Sequence, residues 1–217
     1  MITIHGVMLS PFVRKTLLAA AHKGIEVENI PTFPGSDDAA FRAISPLGKV
    51  PVLVDGDFSI PDSSVICRYL ERIAPAPSLY PTDARDEARA LWLEEFADSK
   101  LIEACAGLFQ QRFLFPRMMG QATDETVVAE ILESRLPPLL DYLEAQTPGA
   151  APLVGEHLSV ADLSVHTCFL QARIGEYEVD AQRWPKLGAY LAHWWAEPLF
   201  AARMEAEQGF IANATAG

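Results

Sequence analysis

Three short segments in the first third of the chain carry the residues best suited to chemistry. They are Leu9-Ser10-Pro11-Phe12, Gly48-Lys49-Val50-Pro51-Val52-Leu53 and Pro61-Asp62-Ser63-Ser64. Each puts a hydroxyl or free backbone polar groups where a strand ends or a helix begins. Jointly they could hold one small, charged, peptide-like ligand by its thiol, its backbone and its carboxylate.

Ser10 follows a strand and precedes Pro11, a residue suited to the first helical position because its missing donor would be unpaired there anyway. The hydroxyl then has two readings. As an N-cap it accepts a bond from a backbone amide two or three residues on. As a donor to an anion it can hold a thiolate, a charge-assisted bond of about 1.5–3 kcal/mol, to which the helix N-terminus adds about 0.3–1 kcal/mol. Together these lower a thiol pKa by roughly one to two units from a reference near 8.5. The thiolate is the nucleophilic form.

Val50-Pro51 heads an apolar strand, where a proline fits only at a first or edge position because it donates no ladder bond. A turn is the plain reading. A cis bond here would turn the Val50 amide and carbonyl outward, so that an extended peptide could pair with them. Asp62-Ser63-Ser64 opens the next helix, and capping explains one of these residues. The others leave free amides and positive dipole for a carboxylate, while Asp62 can pair an ammonium. An α-amino acid end carries both charges.

The elements that must position these residues follow from periodicity. β-Branched pieces at 2–5, 27–30 and 50–54 alternate with helical spacing over the first eighty residues, which predicts a β-α-β-α-β unit. Phe12, Thr16, Leu17, Ala20 and Ala21 form an apolar stripe that ends at Lys23-Gly24, a basic last turn followed by a terminating glycine. Asp55-Gly56-Asp57 between two apolar runs predicts a tight hairpin and hence a mixed sheet. Val65, Ile66, Tyr69, Leu70 and Ile73 recur at helical spacing after Ser63. The proline-rich stretch 74–81 cannot be helical and reads as a linker. Beyond it, helices are expected over 83–115, 124–146, 159–174 and 184–203, with a bend or break at Pro137-Pro138. Domains are therefore placed at 1–78 and 84–210. The small-residue tail from Asn213 to Gly217 is expected to be disordered.

Composition narrows the function. With 17 Lys plus Arg against 29 Asp plus Glu, the 217-residue chain carries a net charge of -12. Such a charge repels phosphate backbones and anionic lipid surfaces, so neither nucleic acid nor membrane is an expected partner. No run reaches the ~18 apolar residues of a membrane helix, and Met1-Ile2-Thr3-Ile4 begins as a strand with no leader pattern. Three separated cysteines, Cys67, Cys105 and Cys168, suggest neither a disulfide framework nor a zinc site. The expected compartment is the reducing cytoplasm. The five histidines have no metal-binding spacing, and no metal is expected.

Taken together, these residues resemble the cytosolic glutathione transferase superfamily, in both halves of the chain. The three segments match its thioredoxin-like N-terminal domain, and Ser159-Val160-Ala161-Asp162 looks like the capping box of its all-helical C-terminal domain. The resemblance implies an α/β thioredoxin-like domain followed by an all-α domain. It also implies that Ser10 activates the thiol of glutathione, Val50 pairs with its cysteinyl backbone, Asp62 and Ser63 bind its γ-glutamyl end, and Lys49 reaches its glycyl carboxylate. Phe109, Phe113, Phe115, Met118 and Met119 cluster where the family places its electrophile pocket. Core packing explains most of them, and Phe12 and Phe113 are the residues taken to line the pocket. A homodimer is implied by the family alone.

Subgroup signals point in several directions. Members that reduce disulfides or dehydroascorbate carry cysteine in place of Ser10, and the Ser-Ser-Cys signature of the maleylacetoacetate isomerase type is missing. Ser10-Pro11-Phe12-Val13 looks most like the serine-type conjugating enzymes, including the plant tau-like pattern, and the class stays open. The leading expectation is conjugation of the glutathione thiolate to an apolar electrophile. The alternatives are a non-catalytic member that binds apolar ligands or a protein, and a glutathione-dependent isomerase or peroxidase. Cys67 reads as a packing residue, and Trp184, Trp194 and Trp195 as residues that close a core.

Overall fold

The computed structural model describes residues 1–215. The chain divides into two compact units, one of residues Met1–Leu79 and one that begins at Tyr80. The first runs β1 (Ile2–His5), α1 (Pro11–His22), β2 (Val27–Ile30), α2 (Ala39–Ile44), β3 (Val52–Asp55), β4 (Phe58–Pro61) and α3 (Ser63–Ile73). Among the described residues its four strands form one sheet in the order β2-β1-β3-β4. β1 is parallel to β2, while the β1–β3 and β3–β4 pairs are antiparallel. The sheet is mixed because the β3–β4 connection is the short Asp-Gly hairpin, with Gly56 at φ 63°; the parallel pair needs α1 as its crossover.

β3 begins at Val52, two residues later than expected, because Pro51 has no amide to give the ladder. The buried surface of α1 is also wider than the expected stripe. Ala21 is exposed and Phe12 half-buried, whereas Val13 through Ala20 are all buried, including the cationic Arg14 and Lys15. α1 is enclosed on more than one side, so a single amphipathic stripe underestimates what it buries. On α3, Ile66, Cys67 and Leu70 are buried while Val65 and Ile73 are largely exposed. Lys23, at the C-cap of α1, ties down the start of the linker. Its ammonium lies 2.6 Å from Glu71 and donates to the carbonyls of Ala74 and Pro77. Glu71 in turn accepts from the Ser78 hydroxyl and the Leu79 amide.

The second unit is helical: α4 (Ala84–Phe96), α5 (Ile102–Phe109), α6 (Glu125–Glu130), α7 (Leu136–Gln146), α8 (Val160–Ile174), α9 (Pro185–Ala196) and α10 (Pro198–Thr215). Wider, π-type turns at 97–101 and 110–118 carry the first run on to Met118. Another at 131–135 precedes Pro137-Pro138, which then occupy the first turn of α7, where prolines are tolerated. The last segment differs from expectation. Pro198 divides it, since a proline lacks the amide that a helix interior needs, and α10 extends through Thr215. The expected tail therefore does not begin at Asn213, and Ala216 and Gly217 lie outside the described residues.

α8 forms the centre of this unit and is buried from Val160 to Ala172. Its N-terminus is held by Asp162, whose carboxylate accepts from the Leu153 and Ser159 amides and from the Ser159 and Tyr190 hydroxyls, each at 2.7–2.8 Å. The capping box thus reaches well beyond its own four residues. Trp184 is buried and donates to Asp141 at 2.7 Å, and Glu144 accepts from the first amides of α9.

Candidate functional site

Sheet register brings the three segments to one edge of the first unit. His5 at the end of β1 pairs with Val52 at the start of β3, and Val52 pairs with Pro61 at the end of β4. The residues just beyond these positions are Gly6 to Ser10, Val50-Pro51 and Asp62-Ser63. All three therefore leave or enter the sheet at the same end. Gly6, at φ 151°, leaves no space for a side chain: a Cβ would collide with Val13 and come within 3.1 Å of the Val50 Cβ. That close approach seats Val50 against Ile4, Val13 and Leu17, which form one core cluster. A second link joins the helices, as Lys15 on α1 donates to the Ser64 hydroxyl in the first turn of α3 at 3.1 Å. Neither Gly6 nor Lys15 stood out in sequence. The signal for Gly6 was a glycine directly after a strand; a buried lysine has no local signature.

Ser10 occupies the N-cap of α1 with extended backbone angles, and its carbonyl accepts from the Arg14 amide at 2.9 Å. Its hydroxyl makes no capping bond. The plain N-cap reading thus fails at the side chain, and a half-buried hydroxyl sits beside unsatisfied first-turn amides. Val50-Pro51 is a cis peptide bond, as is Ala76-Pro77. Asp62 is the N-cap of α3 at φ 82°, a left-handed conformation uncommon outside glycine. Its Oδ1 accepts from the Ser64 and Val65 amides at 3.0 and 3.2 Å. Asp62 is exposed and Ser63 buried at the first helical position. Lys49 is exposed in the loop before β3, and its carbonyl accepts from the Ser45 hydroxyl at 2.7 Å.

The family model for the glutathione S-transferase N-terminal domain matches residues 4–78, and that for the C-terminal domain matches residues 112–206. This chain belongs to the glutathione S-transferase family. Among its relatives, glutathione S-transferase 4 of Zea mays is 30% identical over 199 residues, covering 89% of this chain and 86% of the relative. The solved structure of human glutathione-S-transferase T1-1 in its apo form superposes with a TM-score of 0.84 at 26% identity, covering 100% of this chain and 92% of that one. Elongation factor 1-gamma of Schizosaccharomyces pombe is 31% identical over 170 residues, which are 78% of this chain and 40% of that protein.

The mixed sheet with its helices is the thioredoxin-like domain of the family, and the helical unit is its C-terminal partner. The N-terminal match spans every residue singled out around Ser10, Val50 and Asp62. Phe12, half-buried, follows Pro11 at the start of α1. Phe113 belongs to the second unit, where it is buried with its ring 5.3 Å from that of Phe109. Among the described residues there is no cluster of three or more metal-ligating side chains, and no helix is long and apolar enough to cross a membrane. All three cysteines are buried, and none forms a disulfide. Burial pushes the Cys105 thiol far above its usual range.

Proposed function

We propose that this family member is a glutathione transferase in which Ser10 stabilises the thiolate of bound glutathione for attack on an apolar electrophile. The observation that supports this most is that the Ser10 hydroxyl, at the N-terminus of α1, makes no capping bond. A serine kept there only as a cap would bond to the backbone. In this reading Val50 offers its amide and carbonyl to the cysteinyl backbone. Asp62 takes the γ-glutamyl ammonium on the oxygen its cap leaves over, and Ser63 and the first-turn amides of α3 take the carboxylate. Lys49, exposed and on the same edge, meets the glycyl carboxylate. Phe12 and Phe113 contact the electrophile, in a cytoplasmic homodimer without a metal. Rate is gained because the thiol is ionised before the encounter and both partners are held.

An electrophile screen with glutathione tests this reading. For every electrophile accepted by the wild type, Ser10→Ala should lower kcat/KM by about 10- to 150-fold, the equivalent of one charge-assisted hydrogen bond. Turnover unchanged in Ser10→Ala would remove Ser10 from the mechanism. The similarity to elongation factor 1-gamma favours a second reading, a non-catalytic binding module. Saturable glutathione binding with no turnover of any electrophile would select it.

A further inference from the structure

A cavity of about 240 Å³ lies within the second unit, between the 110–118 segment, the C-terminal end of α8 and α10. Its apolar wall is made by Phe113, Leu170, Ile174 and Met204. Two arginines and two glutamates also line it, and they are not matched one to one. Arg117 pairs with Glu176 at 2.6 Å, its guanidinium 5.6 Å from the Phe113 ring, and Arg112 donates to the Glu176 carbonyl. Buried Glu207 lies 3.9 Å from the Nε of Arg203 on its own helix. Arg173 remains. Among the described residues it forms no ion pair: its guanidinium lies 5.4 Å from the Trp195 ring centroid, and one amino group reaches Met204 Sδ at 3.5 Å.

In a chain with 29 carboxylate side chains, an arginine held against an aromatic face and a thioether, both weak partners, keeps most of its five donors available. The planar guanidinium matches a carboxylate with two parallel bonds. The stacking on Trp195 limits the rotamer freedom that binding would otherwise cost. The volume falls below the roughly 300–1,000 Å³ of sites for drug-sized ligands, so the occupant is small. We propose that this cavity binds a small apolar monocarboxylate, its carboxylate on Arg173 and its hydrocarbon body against Phe113, Leu170, Ile174 and Met204. The cavity includes Phe113, which the proposed function gives to the electrophile, so the inference rests on that reading and narrows the apolar partner to one bearing a carboxylate; because residues of the second unit alone carry it, its failure would leave the role of Ser10 untouched.

Calorimetry on the full chain, without glutathione, tests it with 1-naphthoate as probe and 1-naphthylmethanol as the uncharged counterpart. Naphthoate should bind saturably and more tightly than the alcohol. Arg173→Gln should weaken naphthoate by about tenfold or more, the effect of losing bonds to a charged group, and leave the alcohol unchanged. Glu176→Gln, which releases Arg117, should tighten naphthoate. Both side chains are at the surface, so the variants should keep the wild-type melting temperature to within a few degrees. No saturable binding at millimolar naphthoate, equal affinity for the alcohol, or unchanged naphthoate affinity in either variant overturns the proposal.

Discussion

Replacing His166 by phenylalanine is expected to remove about 2 kcal/mol of acid sensitivity from the second unit between pH 7.5 and 5. The imidazole is fully buried in α8, and neither ring nitrogen has a hydrogen-bond partner among the described residues. It lies 4.6 Å from the Tyr190 ring at an 18° interplanar angle and 4.7 Å from the Phe200 ring. Such a site excludes the charged form: burial pulls the His166 pKa down to about 3 from 6.5. Below pH 6.5 the unfolded chain takes up a proton that the folded chain refuses. Stability therefore falls as pH drops, by up to about 1.4 kcal/mol per unit, until the folded value is reached. Between pH 7.5 and 5 the loss is about 2 kcal/mol.

A phenyl ring fits the same aromatic stack without the titration, and it removes two unpartnered polar atoms that each cost about 1–3 kcal/mol when buried. All four tryptophans, Trp92, Trp184, Trp194 and Trp195, belong to the second unit. Urea unfolding followed by tryptophan fluorescence therefore reports the relevant transition. The quantity to compare is the stability difference between His166→Phe and wild type at each pH. Groups present in both chains cancel in it, including half-buried His22, whose pKa is lowered by burial and by the neighbouring Lys23 charge. Parallel pH dependences for the two proteins would refute the reasoning.

Two further substitutions separate stability from ligand binding. Tyr190→Phe removes the 2.7 Å bond to buried Asp162 and should cost about 1.5–3 kcal/mol in the same unfolding assay, with no change in glutathione affinity. Asp62→Asn keeps an oxygen to cap α3 but loses the charge that would meet an ammonium. It should weaken glutathione binding by calorimetry about 10-fold or more while shifting the melting temperature by only a few degrees.

Much of the first unit was legible because its signals are local. The Asp55-Gly56 turn, the Lys23-Gly24 stop and the β-branched runs at 2–5 and 27–30 each act over a few residues, and the structure has them in place. The placement of the three candidate segments at strand ends and helix starts was legible for the same reason, as each pairs a chain break with a polar residue. Contacts between distant residues were not. Lys15 reaches Ser64 across 49 positions, Tyr190 reaches Asp162 across 28, and the Gly6 contact with Val13 and Val50 needs the sheet register first. Periodicity also misjudged α1, whose buried face includes Arg14 and Lys15, and joined α9 to α10 across Pro198, where the apolar pattern continues although the helix cannot. Ser10 shows the limit on one residue: sequence placed it at a helix start but left its hydroxyl between cap and donor. The uncapped side chain takes away the first option.

The most direct measurement is an ultraviolet difference titration of bound glutathione across a pH series, in wild type and Ser10→Ala. The account predicts a saturable thiolate absorbance with an apparent pKa roughly one to two units below that of the free thiol, lost or moved upward in Ser10→Ala. Saturable binding with an unshifted pKa, or a shift that survives in Ser10→Ala, would contradict it.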